Sequence, residues 1–338
     1  MSVQSIHEQR TNADQKEPFF SVCIPVYNSR LFIEKTVKSI LDQEFNNFEI
    51  LIVDDNSSDD SYDIVDKLAK DNKKIKLFKN NNNMGPVRNW NECIRKSKGK
   101  YIAFCHHDDE FKPSYLKTAH LYLTKYSNIG IFATGSLSIK NRKIIKANRR
   151  PRTGLIQGND YFDEVFTMKN VSPPSETIFI REHGKEPFFY DESYNYCPEV
   201  DLYLRIAEKG YDVYHHDGFL VLRKYNAESI TSRFKDTFIP IGDEIKVLQK
   251  YRFNKKVDEN TRNKAETRLM YKYFIFMIGN MDTINKDNSY IDNFIHIFST
   301  KKTSSITLLF IFYFFRTFDF LPMKTKAILK IFKLNRGI

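Results

Sequence analysis

Between Phe19 and Tyr126, short apolar runs alternate with segments of helical spacing, and this alternation constrains the fold more than any other feature. Phe19 to Val26, Phe48 to Val53, Ile75 to Phe78 and Tyr101 to Cys105 read as strands. Ser29 to Gln43 places Leu31, Ile33, Val37, Ile40 and Leu41 on one helical face. Ser58 to Lys70 does the same with Ile64, Val65, Leu68 and Ala69, Pro86 opens a third helix to about Ser97, and Pro113 to Tyr126 reads as a fourth. Strands separated by helices of about 10 to 15 residues imply right-handed βαβ units. The predicted class is therefore α/β, a mixed, mostly parallel sheet flanked by helices.

Beyond Tyr126 the pattern loosens. Ile129 to Ile145 predicts a hairpin turning at Lys140-Asn141-Arg142, and residues 146–175 read as loop-rich, with Pro151, Gly154, Gly158, Pro173 and Pro174. Thr177 to Ile180 reads as a strand, Val200 to Lys209 as a helix, and Tyr211 to Leu222 as two short strands. From about Thr237 onward only helical spacing remains, which predicts an all-helical C-terminal region.

Ligands of open α/β sheets bind outside the carboxyl ends of the strands. Three polar clusters fall at such ends: Pro25-Val26-Tyr27-Asn28, Asp54-Asp55-Asn56-Ser57-Ser58-Asp59 and His106-His107-Asp108-Asp109. A helix cap explains any one of them. Three on one sheet edge point to a site. Neither a dinucleotide fingerprint nor a phosphate-binding glycine loop is present in the sequence, so carboxylates at Asp54 and Asp55 suit a base imide or ribose hydroxyls. Tyr27 offers a ring for a base to stack on. Asp108 and Asp109 offer hard oxygen ligands for Mg2+ or Mn2+. Glu199 and Asp201 open a helix, where capping competes with a role as proton acceptor.

Composition removes other classes. Cys23, Cys93, Cys105 and Cys197 lack metal-knuckle spacing, which predicts reduced thiols rather than a zinc site or disulfides. Of the net charge of +11, residues 301–338 hold eight Lys or Arg against Asp319 alone. A nucleic-acid binder more often carries its charge on the folded domain, so no nucleic-acid partner is expected. Apolar runs fall short of the ~18 to 20 residues that span a bilayer, and the polar start from Met1 to Pro18 has no signal-peptide core.

From about Phe19 to Thr231 the chain resembles the family 2 glycosyltransferases of the GT-A fold. The resemblance rests on Ser21-Val22-Cys23-Ile24-Pro25-Val26-Tyr27-Asn28, Ile52-Val53-Asp54-Asp55-Asn56-Ser57-Ser58-Asp59, Asn83-Met84-Gly85 with Asn91, Gly99 to Phe104 running into Asp108-Asp109, and Glu199-Val200-Asp201-Leu202-Tyr203-Leu204-Arg205. It implies a nucleotide-sugar donor held by Pro25, Tyr27, Asn28, Asp54 and Asp55, with Asn83, Gly85 and Asn91 shaping the nucleotide pocket. Asp108 would touch the ribose or donor sugar and Asp109 would ligate Mn2+ or Mg2+. Glu199 falls at the catalytic-base position, with Asp201 beside it, and inversion at the anomeric carbon would follow. UDP is the nucleotide the resemblance favours, and dTDP shares the same imide edge.

Three positions depart from the family pattern. His106 stands where many relatives carry a first Asp, Glu199 where Asp is usual, and Asn226 where relatives often carry His. The Gln-x-x-Arg-Trp motif of processive synthases is missing from the sequence, which implies addition of a single sugar. The expected activity is transfer to a glycan or lipid-linked acceptor in bacterial-type surface polysaccharide assembly. The alternative is a non-catalytic nucleotide- or glycan-binding relative docked at the membrane.

The resulting division is a disordered lead-in at 1–18, a catalytic domain at 19–232, a helical extension at 233–300 and a basic, aromatic-rich segment at 301–338. In that last segment Ile306 to Phe315 is apolar, and Lys326, Lys330 and Lys333 share one face of a helix from Lys324 to Leu334. Such a segment suits an anionic membrane surface. A cytoplasmic protein, peripheral at the inner face of the cell membrane, is the expectation.

Overall fold

The computed structural model describes residues 17–141, 143–182, 184, 186–224, 233–234 and 237–279. The lead-in up to residue 16, the segment around Asn226 and the basic segment 301–338 lie outside the described residues.

Among the described residues ten strands form one sheet. They are β1 (Phe20–Val26), β2 (Phe48–Asp54), β3 (Ile75–Lys79), β4 (Tyr101–Phe104), β5 (Asp109–Phe111), β6 (Ile129–Lys140), β7 (Lys143–Asn148), β8 (Gly154–Ile156), β9 (Thr177–Ile180) and β10 (Asp212–Lys224). The main path runs β3-β2-β1-β4-β9-β6-β10-β5, with β7 added to β6 and β8 to β10. The helices are α1 (Ile33–Leu41), α2 (Ser61–Asp71), α3 (Pro86–Lys96), α4 (Tyr115–Lys125), α5 (Gly158–Phe166), α6 (Pro198–Glu208), α7 (Ile239–Tyr251) and α8 (Glu259–Gly279). A mixed sheet flanked by helices, followed by helices at the C-terminal end, is what the alternation predicts.

Strand direction decides where a ligand can sit. β1 runs parallel to β2 and β4, and β2 parallel to β3. β9 is antiparallel to both β4 and β6, so β6 points the same way as β4, and β10 is parallel to β6. Six strands therefore bring their carboxyl ends to one edge, carrying Asp54, Phe104, Lys140 and Lys224. β1 and β2 are buried along their whole length, as strands covered on both faces must be. Buried Ser21 and Glu49 on these strands are tied together, with Ser21 Oγ donating at 2.6 Å and Lys76 Nζ of β3 at 2.5 Å.

The differences lie at Asp109–Phe111 and between Asn128 and Lys224. The hairpin forms as expected, with Asn141 in the left-handed region at φ 50°. The stretch read as loop holds β8 and α5, and the two expected short strands are one 13-residue strand with register shifts around His215 and Phe219. Strand β5 has three residues and exists through its pairing with β10.

The chain divides into two units, one from Met1–Phe162, Asn170–Tyr194 and Pro198–Ser229, the other from Asp163–Lys169, Asn195–Cys197 and Ile230–Ile338. In the first, Phe20, Val22, Ile24, Ile50, Ile52, Ala103 and Phe132 anchor the apolar core under the sheet. In the second, buried Asp243 of α7 accepts backbone N–H groups from Asn195 and Tyr196, and Arg252 pairs with Glu266 at 2.9 Å. Among the described residues no helix is long and apolar enough to cross a membrane.

Candidate active site

All the residues singled out at the sheet edge belong to the first unit. Asp54 ends β2 and is 1% exposed. Its Oδ1 accepts the Ser57 N–H at 2.9 Å, while Oδ2 is buried without a hydrogen-bond partner. A buried carboxylate oxygen left unpaired is costly. An imide N–H or a ribose hydroxyl arriving at this edge would satisfy it.

Asn28 locks the loop after β1 to the loop after β2. It sits at φ 47°, which asparagine tolerates better than bulkier residues. Its N–H donates to Ser57 Oγ at 3.0 Å and its Oδ1 accepts the Ser58 N–H at 2.9 Å. Tyr27, just before it, leaves its ring 44% exposed. The Pro25 carbonyl lies 3.3 Å from His107 Nδ1, joining this loop to the third cluster.

Asp55 has its oxygens turned to the protein. It accepts from Asn80 Nδ2 at 2.8 Å, Met84 N at 3.0 Å and Gly85 N at 2.9 Å, and so shapes the 80–85 loop. Exposed Asn83 accepts the same Gly85 N–H at 3.0 Å. Gly85 holds φ +85°, a conformation that favours glycine, and α3 starts at the next residue. Asn91 of α3 is buried, and its carboxamide takes both backbone groups of Tyr190, at 2.9 Å each. The structure thus places Asp55 and Asn91 in contacts that hold loops, while Tyr27 is exposed and Asp54 Oδ2 is buried without a partner.

The third cluster is dominated by burial. Asp109 is 3% exposed; burial and the neighbouring Asp108 push its carboxyl up to about 7, against the pull of Arg223. Burial pushes the His106 imidazole down to about 4, so it is neutral. The His106 ring stacks on Trp90 at 5.4 Å, and its Nδ1 is 4.0 Å from Asp109 Oδ2. Asp109 faces Arg223 in the β5–β10 ladder. Arg223 in turn lies 3.6 Å from Glu176, which pairs with Arg150 at 2.7 Å and accepts from Ser136 Oγ at 2.7 Å.

Sequence reasoning missed Arg150, Glu176 and Arg223. They come from separate segments that only the strand order unites, and no local motif marks them. Trp90 is likewise more than the sole tryptophan: besides His106 it meets Tyr190 at 5.2 Å. Burial, with the Glu199 carboxylate next, pushes the Tyr190 phenol up, which places Glu199 within electrostatic reach of this aromatic wall.

Glu199 lies in the first turn of α6 and is partly exposed. Asp201 is fully buried and pairs with Arg205 Nε at 2.8 Å, one turn on. Arg205 also donates to the Phe189 carbonyl. Of the two acids at this helix start, Glu199 is the one with solvent access, and Asp201 braces α6.

The mixed sheet thus carries acids after β2 and β4 at its carboxyl edge, and a further acid stands at the start of α6. Residues 21–177 match the family model described as Glycosyl transferase family 2. The GalNAc(5)-diNAcBac-PP-undecaprenol beta-1,3-glucosyltransferase of Campylobacter jejuni is 30% identical over 220 residues, 63% of this chain and 67% of that one. The chain belongs to glycosyl transferase family 2. Its fold is shared with S. aureus TarS 1–349 solved in complex with UDP-GlcNAc, at TM-score 0.65 and 16% identity over 94% of this chain and 89% of that one. It is also shared with the mannosyltransferase PcManGT of Pyrobaculum calidifontis, solved with GDP-Man and Mn2+, at TM-score 0.55 and 12% identity over 99% and 92% of the two chains.

Proposed function

We infer that this enzyme transfers one sugar, with inversion, from a UDP-sugar to a glycan or lipid-linked acceptor at the inner face of the cell membrane. The observation that carries the donor reading is Asp54, whose buried Oδ2 lacks a partner at the carboxyl edge of the sheet. The uracil imide or a ribose hydroxyl supplies the missing donor, and exposed Tyr27 supplies a stacking face. The UDP-GlcNAc complex of a protein with the same fold supports UDP. The name of the Campylobacter relative specifies a lipid-linked glycan, which supports a lipid-linked acceptor.

A divalent cation fits the chemistry of Asp108 and Asp109. Burial and the adjacent Asp108 carboxylate raise the cost of ionising Asp109, and a cation beside it offsets that cost. Among the described residues no group of three or more His, Cys, Asp or Glu is arranged around a metal position. Asp109, with Asp108, would therefore hold Mn2+ or Mg2+ with few protein ligands, as Mg2+ accepts when phosphate oxygens and water complete its shell. Such an ion, when bound, neutralises charge on the diphosphate leaving group. A Mn2+ complex of PcManGT supports this choice.

The remaining steps fall to the chain. Asp54 and Tyr27 fix the nucleotide, and Asn28 fixes the two loops that carry them. Glu199 takes the proton from the acceptor hydroxyl as that oxygen attacks the anomeric carbon from the face opposite the diphosphate. Asp201 holds α6, and so Glu199, through Arg205.

Calorimetry with UDP, dTDP, GDP and CMP, each with and without Mn2+, tests this reading. The expected result is Mn2+-dependent binding of UDP, lost in Asp109→Ala and weakened in Asp54→Ala. Absence of binding by any nucleotide would contradict it and favour a glycan-binding relative without turnover.

A further inference from the structure

Strand β7 stands outside the path of the sheet and, among the described residues, pairs with β6 alone. Lys143, Ile144, Ile145, Lys146 and Ala147 are all exposed. Lysines on an edge strand are an ordinary guard against edge-to-edge pairing. Two adjacent isoleucines, 62% and 52% exposed, are the opposite of a guard. Large apolar side chains exposed among charges are a feature of interaction surfaces.

The hairpin's own charges have one sign. From Phe111 to Asn159 the sequence contains no Asp or Glu. Lys143 and Lys146 flank the two isoleucines directly, and Arg149 follows with Asp217 at 3.5 Å as its counter-charge. An apolar pair framed by lysines complements an anionic lipid surface, with the apolar side chains in the acyl boundary and the ammonium groups at the phosphates.

The hairpin also points the right way. β6 runs in the direction of β1, β2, β4 and β10, so its carboxyl end, where the turn to β7 begins, lies at the edge that carries Asp54. Arg223 is the link: it sits opposite Ser138 of β6 on one side and Asp109 on the other. A bilayer met by this hairpin lies on the site's side of the sheet.

We propose that the β6–β7 hairpin docks the enzyme on an anionic lipid bilayer through Ile144 and Ile145 and the flanking Lys143 and Lys146. The docking deepens the lipid-linked-acceptor reading and rests on it for its purpose, since it brings the site to a lipid-anchored hydroxyl.

The test is co-sedimentation of the full chain with phosphatidylcholine vesicles, with and without phosphatidylglycerol. Wild type should bind the anionic vesicles, less so as salt rises. Lys143→Glu with Lys146→Glu should weaken partitioning at least about tenfold, and Ile144→Ser with Ile145→Ser should weaken it too. Wild-type partitioning by both double variants would overturn the proposal and move membrane contact elsewhere, such as residues 301–338. Failure of the wild type to bind either vesicle would overturn it as well. UDP calorimetry on the same samples reports separately: loss of UDP binding with vesicle binding intact sinks the transferase reading and leaves this one standing.

Discussion

Glu176 Oε2 and Arg150 Nη2 lie 2.7 Å apart with side chains 0% and 8% exposed, and Arg223, opposite Asp109, approaches the same carboxylate. Burying such a pair is near break-even, but removing one partner strands a charge. Glu176→Gln should therefore destabilise the protein by about 3 to 5 kcal/mol in urea unfolding, while Arg150→Met combined with Glu176→Leu should recover most of the loss. Equal losses in the single and double variants would show that packing, not charge, governs this site.

His215 of β10 gives the protein an acid-labile point. It is fully buried, its Nδ1 lies 3.1 Å from the Arg152 carbonyl, and burial pushes its imidazole down from 6.5 to about 4. The folded state holds it neutral while the unfolded chain protonates it near 6.5. Stability is thus full above pH 6.5 and falls as pH drops towards 4, by roughly 3 kcal/mol in all. Buried Asp109, raised to about 7, gains stability over the same range and His106 loses it, so the readout is the difference between wild type and His215→Gln: the wild type should lose roughly 3 kcal/mol more between pH 7 and pH 4. A difference that stays constant from pH 7 to pH 4 would contradict the role given to His215.

Asn91 separates a ligand role from a structural one. Its carboxamide satisfies both backbone groups of Tyr190, and its Nδ2 is 3.2 Å from Glu192. Asn91→Leu should cost roughly 2 to 4 kcal/mol of stability by leaving buried Tyr190 groups unpaired, with UDP affinity nearly unchanged. A loss of UDP affinity without a loss of stability would place the side chain on the nucleotide instead.

The strands and helices from Phe19 to Tyr126 were legible because each is a local pattern: an apolar run, a cap, a helical stripe. Asp54, Asp108-Asp109 and Glu199 can be proposed from the sequence because they follow or open such patterns. What escaped is non-local. Tyr211 to Leu222 reads as two short strands, yet β10 is one strand that pairs with β6 on both sides of an irregularity between His215 and Phe219. Asp109-Glu110-Phe111 has no strand signature and becomes one against Val221 to Arg223. Helix α5 opens on Gly158-Asn159-Asp160, residues that read as a turn. The Arg150–Glu176–Arg223 group needs β6, β9 and β10 side by side before it exists at all. Asn91 and Asp201 carry the residue types of a site, and only their partners show that they hold loops and helices.

The most direct test of the account is Glu199→Gln, assayed for sugar transfer from the donor that calorimetry identifies and for UDP binding in parallel. The substitution keeps the side chain's shape and removes its capacity to take a proton. Transfer should fall about 10²- to 10⁴-fold, the range for loss of a general base, with UDP affinity intact. Transfer at the wild-type rate would contradict the assignment of the base, and with it the role given to the start of α6.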